Sequence, residues 1–225
     1  MSKRESPTSA CKTTHSAMTI IDLTAPYQGR RSSPKITEEK IPLRSAATAY
    51  TGLVYHLASD SMQGTYLDLP GHIVETDDGR RSDSIPASEL YRRPATVLHL
   101  DRPLVPGPVS ASHLQAALGD QRCQDMLIIH ALGDRNTFQV PERSIYLDDS
   151  AVDWIISRQC QWLISDIYES TALHGVFLKL FSAGVATVCE PQNLHLLTAD
   201  EVLVTILFTL WPNITQIPCR LIAEF

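Results

Sequence analysis

Short runs of apolar residues, separated by polar and turn-forming residues, recur along most of the chain. The β-branched runs Thr19–Leu23 and Thr51–Leu57 predict strands. Ala95–Asp101 and Asp125–Ala131 are apolar at successive positions, so both faces of each segment are apolar. This is typical of strands buried inside a parallel sheet. The pattern therefore predicts a sheet whose central strands are covered on both sides.

Helical signals lie between and after these runs. Ser110 precedes Ala111–Leu118 as an N-cap, and Gly119 follows it as a stop. Beyond residue 148, helices and strands alternate in the same way. They are a helix over Val152–Ser157, a strand over Gln161–Ile167, a helix over Ala172–Ser182 and a strand over Val185–Cys189. This order favours an α/β fold in one domain with a mixed sheet.

Other segments carry weaker signals. Gln28–Arg44 is polar, contains two prolines and shows little periodicity, so it is predicted to be a long loop of unknown role. Val202–Trp211 follows a capping-box pattern but is rich in β-branched residues, which leaves helix and strand equally favoured. Cys219–Phe225 predicts a closing strand. Residues 1–18 predict a mobile tail, so the domain is expected to cover residues 19–225.

Composition and charge narrow the class of protein. The chain has 225 residues, 44% of them apolar and 20% charged, which is typical of a globular domain. Its net charge of −6 disfavours a nucleic-acid partner. The longest apolar stretch is too short to cross a membrane. The five cysteines are scattered, form no C-x-x-C pair and follow no secretory leader, so we expect a reduced cytoplasmic location without disulfides or structural zinc.

Residues capable of chemistry are densest between Ser61 and His72. If this stretch is extended, the side chains of Tyr66, Asp68 and His72 share one face. A carboxylate beside an imidazole suits proton transfer near neutral pH, and Gly64 allows a ligand to approach the backbone closely. The alternative is a polar loop at a sheet edge, in which Asp68 caps a turn.

The same stretch resembles the signature H-x-G-T-H-x-D-x-P-x-H of the cyclase superfamily, which includes bacterial kynurenine formamidase and isatin hydrolase. It matches at Gly, Thr, Asp, Pro and the last His, here Met62-Gln-Gly-Thr-Tyr-Leu-Asp-Leu-Pro-Gly-His72. Ile21–Thr24 is similar to the opening strand of that family, and Trp162–Asp166 to a later strand that ends in Asp. Gly184–Glu190 is similar to its segment with a late glutamate. The resemblance covers most of residues 19–225 and implies that Val202–Trp211 is a strand.

The resemblance also implies a metal site, and this chain departs from it. The family holds its metal with the first two signature histidines, the signature aspartate, a helix histidine and the late glutamate. Met62 and Tyr66 stand at the first two positions, and Phe177 stands at the third, with His174 nearly one turn too early. Thioether, phenol and phenyl groups do not replace imidazole as ligands for zinc. We therefore predict no tightly bound zinc or manganese and no cofactor, since only Asp68 and Glu190 remain.

The leading hypothesis is a metal-independent lyase, cyclase or hydrolase that acts on a small polar carbonyl substrate by cyclisation, dehydration or lactone chemistry. Its predicted catalytic residues are His72, Asp68 and Tyr66, since His72 aligns with the family's proton-transfer histidine. The predicted substrate-binding residues are Gln63, Gly64, Thr65 and Glu190.

Two alternatives stay open. One is a metal-dependent amide hydrolase of the kynurenine formamidase type, in which His174 and distal histidines rebuild the site. The other is an inactive module that binds a ligand or a partner protein. The resemblance further implies a swivelling β/β/α architecture and a homodimer or homotetramer with its site near the subunit boundary.

Overall fold

The computed structural model describes residues 18–27, 33–100 and 105–225. Nearly all of the predicted tail, residues 1–17, lies outside the described residues. Within them the strands are β1 (Ile20–Asp22), β2 (Lys35–Arg44), β3 (Ala49–Ala58), β4 (Tyr66–Asp68), β5 (Arg93–His99), β6 (Gly107–Val109), β7 (Met126–His130), β8 (Ile145–Leu147), β9 (Trp162–Ser165), β10 (Ala186–Cys189), β11 (Glu201–Leu207), β12 (Gln216–Pro218) and β13 (Arg220–Glu224). The α-helices are α1 (Ala111–Leu118), α2 (Asp149–Ser157) and α3 (Val176–Ser182).

One curled sheet of nine strands organises the domain, in the order β1-β13-β11-β5-β7-β9-β10-β4-β12. The central strands β5, β7, β9 and β10 run parallel, and their outer neighbours pair antiparallel. This confirms the predicted single α/β domain with a mixed sheet. Since the central strands are parallel, their carboxyl ends meet at one edge, where α/β proteins commonly bind ligands.

The core lies on both faces of this sheet. Leu127 and Ile129 of β7 join the cluster that packs against the helices, whereas Met126 and Ile128 join the cluster on the opposite face. All four side chains are fully buried. The predicted burial of both faces is thus confirmed, because successive residues of a strand point to opposite sides.

The helix boundaries follow their capping groups. Ser110 and Gly119 bound α1 as predicted, with Gly119 at φ 58°. The Asp148 carboxylate accepts a hydrogen bond of 2.9 Å from the Ala151 N–H and caps α2. α3 begins at Val176, four residues later than predicted. Its first N–H groups are capped by the side chain of Glu169, which lies outside the helix.

The prediction of a loop over residues 28–44 is wrong for residues 35–44, and its residues 28–32 lie outside the described residues. Residues 35–44 form β2, which pairs along its whole length with β3 as an antiparallel hairpin. We call residues 35–58 the hairpin arm. Every residue in its two strands is exposed except the half-buried Gly52. With neither face buried, no period-two pattern marks the strand in the sequence.

The two C-terminal predictions are resolved as strands. Residues 201–207 form the strand β11, so the capping-box pattern at its start does not begin a helix. β13 forms the predicted closing strand and lies between β1 and β11. Among the described residues, no helix is long and apolar enough to span a membrane.

Candidate functional site

A cavity of about 250 Å³ opens at the carboxyl ends of β9 and β10. Its wall combines polar groups with an aromatic and aliphatic floor, as in many sites for small molecules. Asp166 follows β9, and Glu190 follows β10. The residues used below that line it are Met62, Gly64, Tyr66, Asp166, Phe177, Cys189 and Glu190.

Glu190 is fixed in this wall by contacts on both its backbone and its side chain. Its φ of 56° lies in the left-handed region, which non-glycine residues rarely adopt. Its carbonyl accepts a hydrogen bond of 2.8 Å from the Thr65 hydroxyl. Its carboxylate accepts another from the Thr137 hydroxyl. The carboxylate is therefore held in one orientation beside the cavity.

The loop that carries Tyr66 approaches the N-terminal segment very closely. Gly64 has a φ of 60°, and a Cβ atom there would lie 2.9 Å from the carbonyl oxygens of both Ala25 and Pro26. The Thr65 hydroxyl accepts a hydrogen bond of 2.8 Å from the Ala25 N–H. Only glycine fits at position 64, and this contact sets where Tyr66 enters the cavity.

Tyr66 presents a phenol to the cavity that keeps its proton. Burial raises the pKa of Tyr66 far above its usual value, and the neighbouring groups Cys189, Asp68 and Glu190 raise it further. The Tyr66 hydroxyl is hydrogen bonded to the Cys189 thiol, whose pKa burial also raises. Tyr66 is thus a hydrogen-bond donor at any physiological pH and not a base.

A polar network lies behind Tyr66. The Cys189 thiol contacts a carboxylate oxygen of Asp68 at 3.7 Å. Asp68 also accepts a hydrogen bond of 2.6 Å from Nε2 of Gln216, and that nitrogen lies 3.3 Å from Nε2 of His72. Asp68 is only 3% exposed, whereas His72 is exposed. The network therefore connects the cavity wall to solvent.

Two buried carboxyl groups near the cavity have raised pKa values. Burial raises the pKa of Asp68 to about 7, although hydrogen bonds from Gln216 and Cys189 oppose the shift. Burial likewise raises the pKa of Asp166 to about 7, against hydrogen bonds from the N–H groups of Leu132 and Ala131. Both groups can change protonation state near neutral pH, which suits acid/base chemistry.

The residues at the family's metal-ligand positions do not fit a tightly held transition metal. Met62, Tyr66 and Phe177 line the cavity where the resemblance places imidazoles, beside the remaining carboxylate Glu190. His174 lies outside the cavity lining and bonds to the Ser170 hydroxyl at 3.2 Å. Within residues 18–27, 33–100 and 105–225, no cluster of three histidine, cysteine or acidic side chains could hold a metal ion.

The predicted site residues separate into two groups. Tyr66, Gly64 and Glu190 line the cavity, while the other four do not. Those four are Gln63, Thr65, Asp68 and His72. Thr65 contacts the Glu190 backbone, Asp68 and His72 join the network behind Tyr66, and Gln63 donates to Asp60 at 3.0 Å.

Sequence reasoning missed three contributors to the site. Thr137 lies in a segment without a strand or helix signal, and Gln216 reaches Asp68 only through the pairing of β12 with β4. Asp166 was noted only as the end of a family strand. Its position after a buried parallel strand was the signal that could have identified it.

Comparisons with known proteins agree on the fold. A family model described as "Putative cyclase" matches residues 21–170. No curated protein sequence matches the chain. The fold is similar to that of isatin hydrolase A from Labrenzia aggregata, with 16% identity, a TM-score of 0.70 and coverage of 92% of this chain and 94% of that one.

A predicted metal-dependent hydrolase from Bacillus stearothermophilus is also similar, with 20% identity, a TM-score of 0.66 and coverage of 93% and 99%. A third structure, a potential metal-dependent hydrolase with cyclase activity, has 19% identity, a TM-score of 0.69 and coverage of 92% and 98%. At these identities, the similarity concerns the fold.

Proposed function

The chain belongs to the cyclase family, and from that premise we propose that it is an enzyme that converts a small polar carbonyl compound by acid/base catalysis without a transition metal. Cyclisation, dehydration and lactone opening are the reactions that this chemistry suits. The observation that carries the proposal is the replacement of the imidazole ligands by Met62, Tyr66 and Phe177 around a cavity whose lining includes the carboxyl groups of Asp166 and Glu190.

Tyr66 is the catalytic residue that contacts the substrate in this proposal. Its phenol donates a hydrogen bond to the substrate carbonyl oxygen and stabilises the negative charge that develops there. Glu190, anchored by Thr137, accepts a proton or a hydrogen bond from the substrate's nucleophilic group. Gly64 lets the substrate approach the backbone.

Asp68 and His72 act on the substrate through Tyr66. An ionised Asp68 raises the pKa of Tyr66, so protonation of Asp68 makes the phenol a stronger donor. Since the pKa of Asp68 is raised to about 7, this change falls in the neutral range. His72, at the solvent end of the network, is the group that the resemblance identifies with proton transfer.

Turnover of small lactones and cyclic amides by metal-analysed protein tests this proposal. We expect activity in the presence of a chelator and a loss of about 10²-fold in kcat for Tyr66→Phe. Tyr91→Phe, at an exposed tyrosine, is the matched control and should change nothing.

Three results would overturn parts of the proposal. Stoichiometric metal with activity lost on chelation would establish the metal-dependent amide hydrolase instead. Unchanged turnover in His72→Ala would remove His72 from the mechanism. Binding of these compounds without turnover would favour the inactive module.

We further propose that the protein is a homodimer or homotetramer and that the hairpin arm joins its copies. An isolated two-stranded hairpin is at best marginally stable in water. The arm nevertheless exposes eight large apolar side chains: Ile36, Ile41, Leu43, Tyr50, Leu53, Val54, Tyr55 and Leu57. A large apolar surface of this kind marks an interface.

The size and charge of the arm fit a second copy of the chain. Ten residues per strand span about 33 Å, and two paired strands are about 9.6 Å wide. One face of the ribbon therefore covers about 320 Å². Two arms, each laid on the partner, would bury about 1,300 Å² in total, which is within the range of stable interfaces. β2 carries charges of both signs, at Lys35, Glu38, Glu39, Lys40 and Arg44, so no oppositely charged partner is required.

Sedimentation equilibrium of the wild type and of Leu53→Ser/Leu57→Ser tests the assembly. We expect a dimer or tetramer that dissociates at least about tenfold more readily in the variant. A Val74→Ser variant, at an exposed apolar residue outside the arm, is the control. A wild type that sediments as a monomer at micromolar concentration would contradict the proposal.

A further inference from the structure

Arg143 brings a positive charge to a cavity whose other charged side chains are acids. It lines the cavity together with Glu142, Asp166, Glu169 and Glu190. In the part of the chain that the structure describes, it is the one arginine or lysine of the lining. An anionic group on a ligand would find its opposite charge at this point of the wall.

The acids inside the cavity are already bonded to other groups of the protein. Glu190 accepts a hydrogen bond from the Thr137 hydroxyl, and Asp166 accepts one of 3.0 Å from the Leu132 N–H. Glu169 accepts hydrogen bonds of 2.7–2.9 Å from three successive N–H groups at the start of α3. These carboxylates therefore have hydrogen-bond partners that do not involve Arg143.

The guanidinium of Arg143 makes no ion pair with the described residues. The described arginines that do form ion pairs are Arg80, Arg81, Arg92, Arg93 and Arg220. A guanidinium presents its N–H donors in a planar fork that matches the two oxygens of a carboxylate. The fork of Arg143 is therefore available to a ligand.

A hydrogen-bonded turn holds Arg143 at the cavity. The Ser144 N–H donates to the Pro141 carbonyl at 3.1 Å, and the Ser144 carbonyl accepts from the Gly107 N–H at 2.8 Å. Arg143 is the third residue of the turn and has a φ of 54°, which glycine and asparagine adopt more readily than arginine. Residues held in such a conformation cluster at ligand sites.

Tyr66 and Arg143 differ in their depth in the cavity. Tyr66 is 8% exposed, whereas Arg143 is exposed. A ligand whose carbonyl oxygen accepts from Tyr66 would therefore direct its far end towards the mouth, where Arg143 lies. A charged group at the mouth keeps part of its hydration, which makes its binding less costly than deep burial.

We propose that Arg143 is a specificity-determining residue that selects substrates carrying a carboxylate, by pairing with that carboxylate at the cavity mouth. This inference rests on the proposed function, because that function places the substrate carbonyl at Tyr66. The substrate class is then a small carbonyl acid, such as a carboxylated lactone or cyclic amide. Since Arg143 does not touch the reacting carbonyl, its loss should leave neutral compounds unaffected.

Binding of a matched pair of compounds to the full-length protein tests the inference. Pyroglutamate is a cyclic amide with a carboxylate, and pyrrolidinone is the same ring without it. We expect protein-observed NMR titration to show that the wild type binds pyroglutamate about tenfold more tightly than pyrrolidinone. Higher ionic strength should weaken the binding of pyroglutamate alone, because only that compound is charged.

Three variants separate the guanidinium from other effects. Arg143→Asn removes the charge and suits the left-handed backbone, so it should abolish the preference for pyroglutamate and leave pyrrolidinone unchanged. Arg143→Lys keeps the charge without the planar fork and should keep part of the preference. Arg122→Asn, at an exposed arginine outside the lining, makes the same change in net charge and should have no effect.

Several outcomes would overturn the inference. They are no measurable binding of pyroglutamate, equal affinities of the wild type for the two compounds, and a preference that persists in Arg143→Asn. If that variant does not fold, the same salt response of both compounds in the wild type would be decisive against it. Failure of the proposed function is separable, because chelator-resistant turnover of neutral lactones and its loss in Tyr66→Phe measure that function.

Discussion

Two regions depart, in opposite ways, from the usual burial of apolar side chains and exposure of polar ones. They are the polar network behind Tyr66 and the hairpin arm. The network places Asp68, Gln216 and Cys189 in the interior, each less than 8% exposed. The arm places leucine, isoleucine and tyrosine side chains in solvent, with Leu57 71% exposed. In an ordinary domain polar groups lie outside and large apolar groups inside.

The two regions differ in where their unusual side chains find contacts: within the same chain for the network, and on a second copy in the proposed assembly for the arm. The buried polar groups find their hydrogen-bond partners within the chain, as Asp68 does with Cys189 and Gln216. Loss of such a partner therefore lowers the free energy of unfolding of this domain. The apolar groups of the arm are exposed in the described residues, and in the proposed assembly a second copy of the chain covers them. The first region should therefore respond strongly to substitution in an isolated chain, and the second weakly.

The largest effect is expected at Gly64, where the loop of Tyr66 touches the N-terminal segment. Gly64→Ala should lower the free energy of unfolding by about 2–5 kcal/mol, because it adds a left-handed backbone cost to a clash with two carbonyl oxygens. Gly133→Ala is the matched control, with a φ of 63° and nothing within 4 Å of its Cβ. Denaturant unfolding measures both, and equal losses would show that the contact carries no cost of its own.

The next effect concerns Thr65, which ties Ala25 to Glu190. Thr65→Val keeps the shape of the side chain but removes both hydrogen bonds, so it should lower the free energy of unfolding by about 1–3 kcal/mol in total, at about 0.5–1.5 kcal/mol for each bond. Thr187→Val is the control. Thr187 is also buried, but its hydroxyl has only the weak contact with the Cys189 thiol, at 3.7 Å, among side-chain hydrogen bonds. Urea unfolding should separate the two variants, and a Thr65→Val protein as stable as the wild type would refute the role of Thr65.

The pH dependence of stability is a smaller and more gradual effect. Burial raises the pKa of Asp68 to about 7 in the folded state, well above that of an aspartate in the unfolded chain, so the folded state binds this proton more tightly. The stability that protonation provides is complete below about pH 4 and is lost as the pH rises to about 7. Relative to Asp68→Asn, the wild type should lose stability progressively across that window and nothing further above it.

Unfolding curves at a series of pH values measure this difference. Asp77 supplies the contrast, because hydrogen bonds from Arg81 and Gly79 lower its pKa to about 2. Its contribution should therefore have the opposite sign, being present above about pH 4 and lost as the pH falls to about 2. A flat difference between the wild type and Asp68→Asn would show that burial does not raise the pKa of Asp68.

The smallest effect on folding is expected in the hairpin arm. Leu53→Ser/Leu57→Ser should change the free energy of unfolding of the dissociated chain by no more than about 0.5 kcal/mol, because both side chains are largely exposed in the single chain. Unfolding is measured at a concentration where sedimentation shows single chains. A loss of several kcal/mol there would mean that the arm folds back on its own domain.

Elements that carry their own signals could be predicted from the sequence. Ser110 and Gly119 bound α1 as predicted, because capping depends on residues within a few positions. The central strands β5 and β7 could be identified by their continuous apolar content. The likeness of Met62–His72 to the family signature located Gly64 and Tyr66, which line the cavity.

Features that depend on distant partners could not be predicted. Gln216 meets Asp68 across 148 positions of sequence, and nothing beside Gln216 in the chain indicates that contact. The start of α3 is set by Glu169, whose capping role requires the turn that precedes the helix. The hairpin arm lacks a buried face, so the apolar and polar residues of β2 follow no period.

The position of β13 between β1 and β11 has a consequence for how the chain folds. The Thr24 hydroxyl and the Leu221 carbonyl that meet at this edge are 197 positions apart. By contrast, β5, β7, β9 and β10 follow one another along the chain and pair in that order. During synthesis this central block can therefore form while the later strands are still untranslated. Loop closure over so many residues is entropically costly, so joining the first strand to the last should be the slow step of folding.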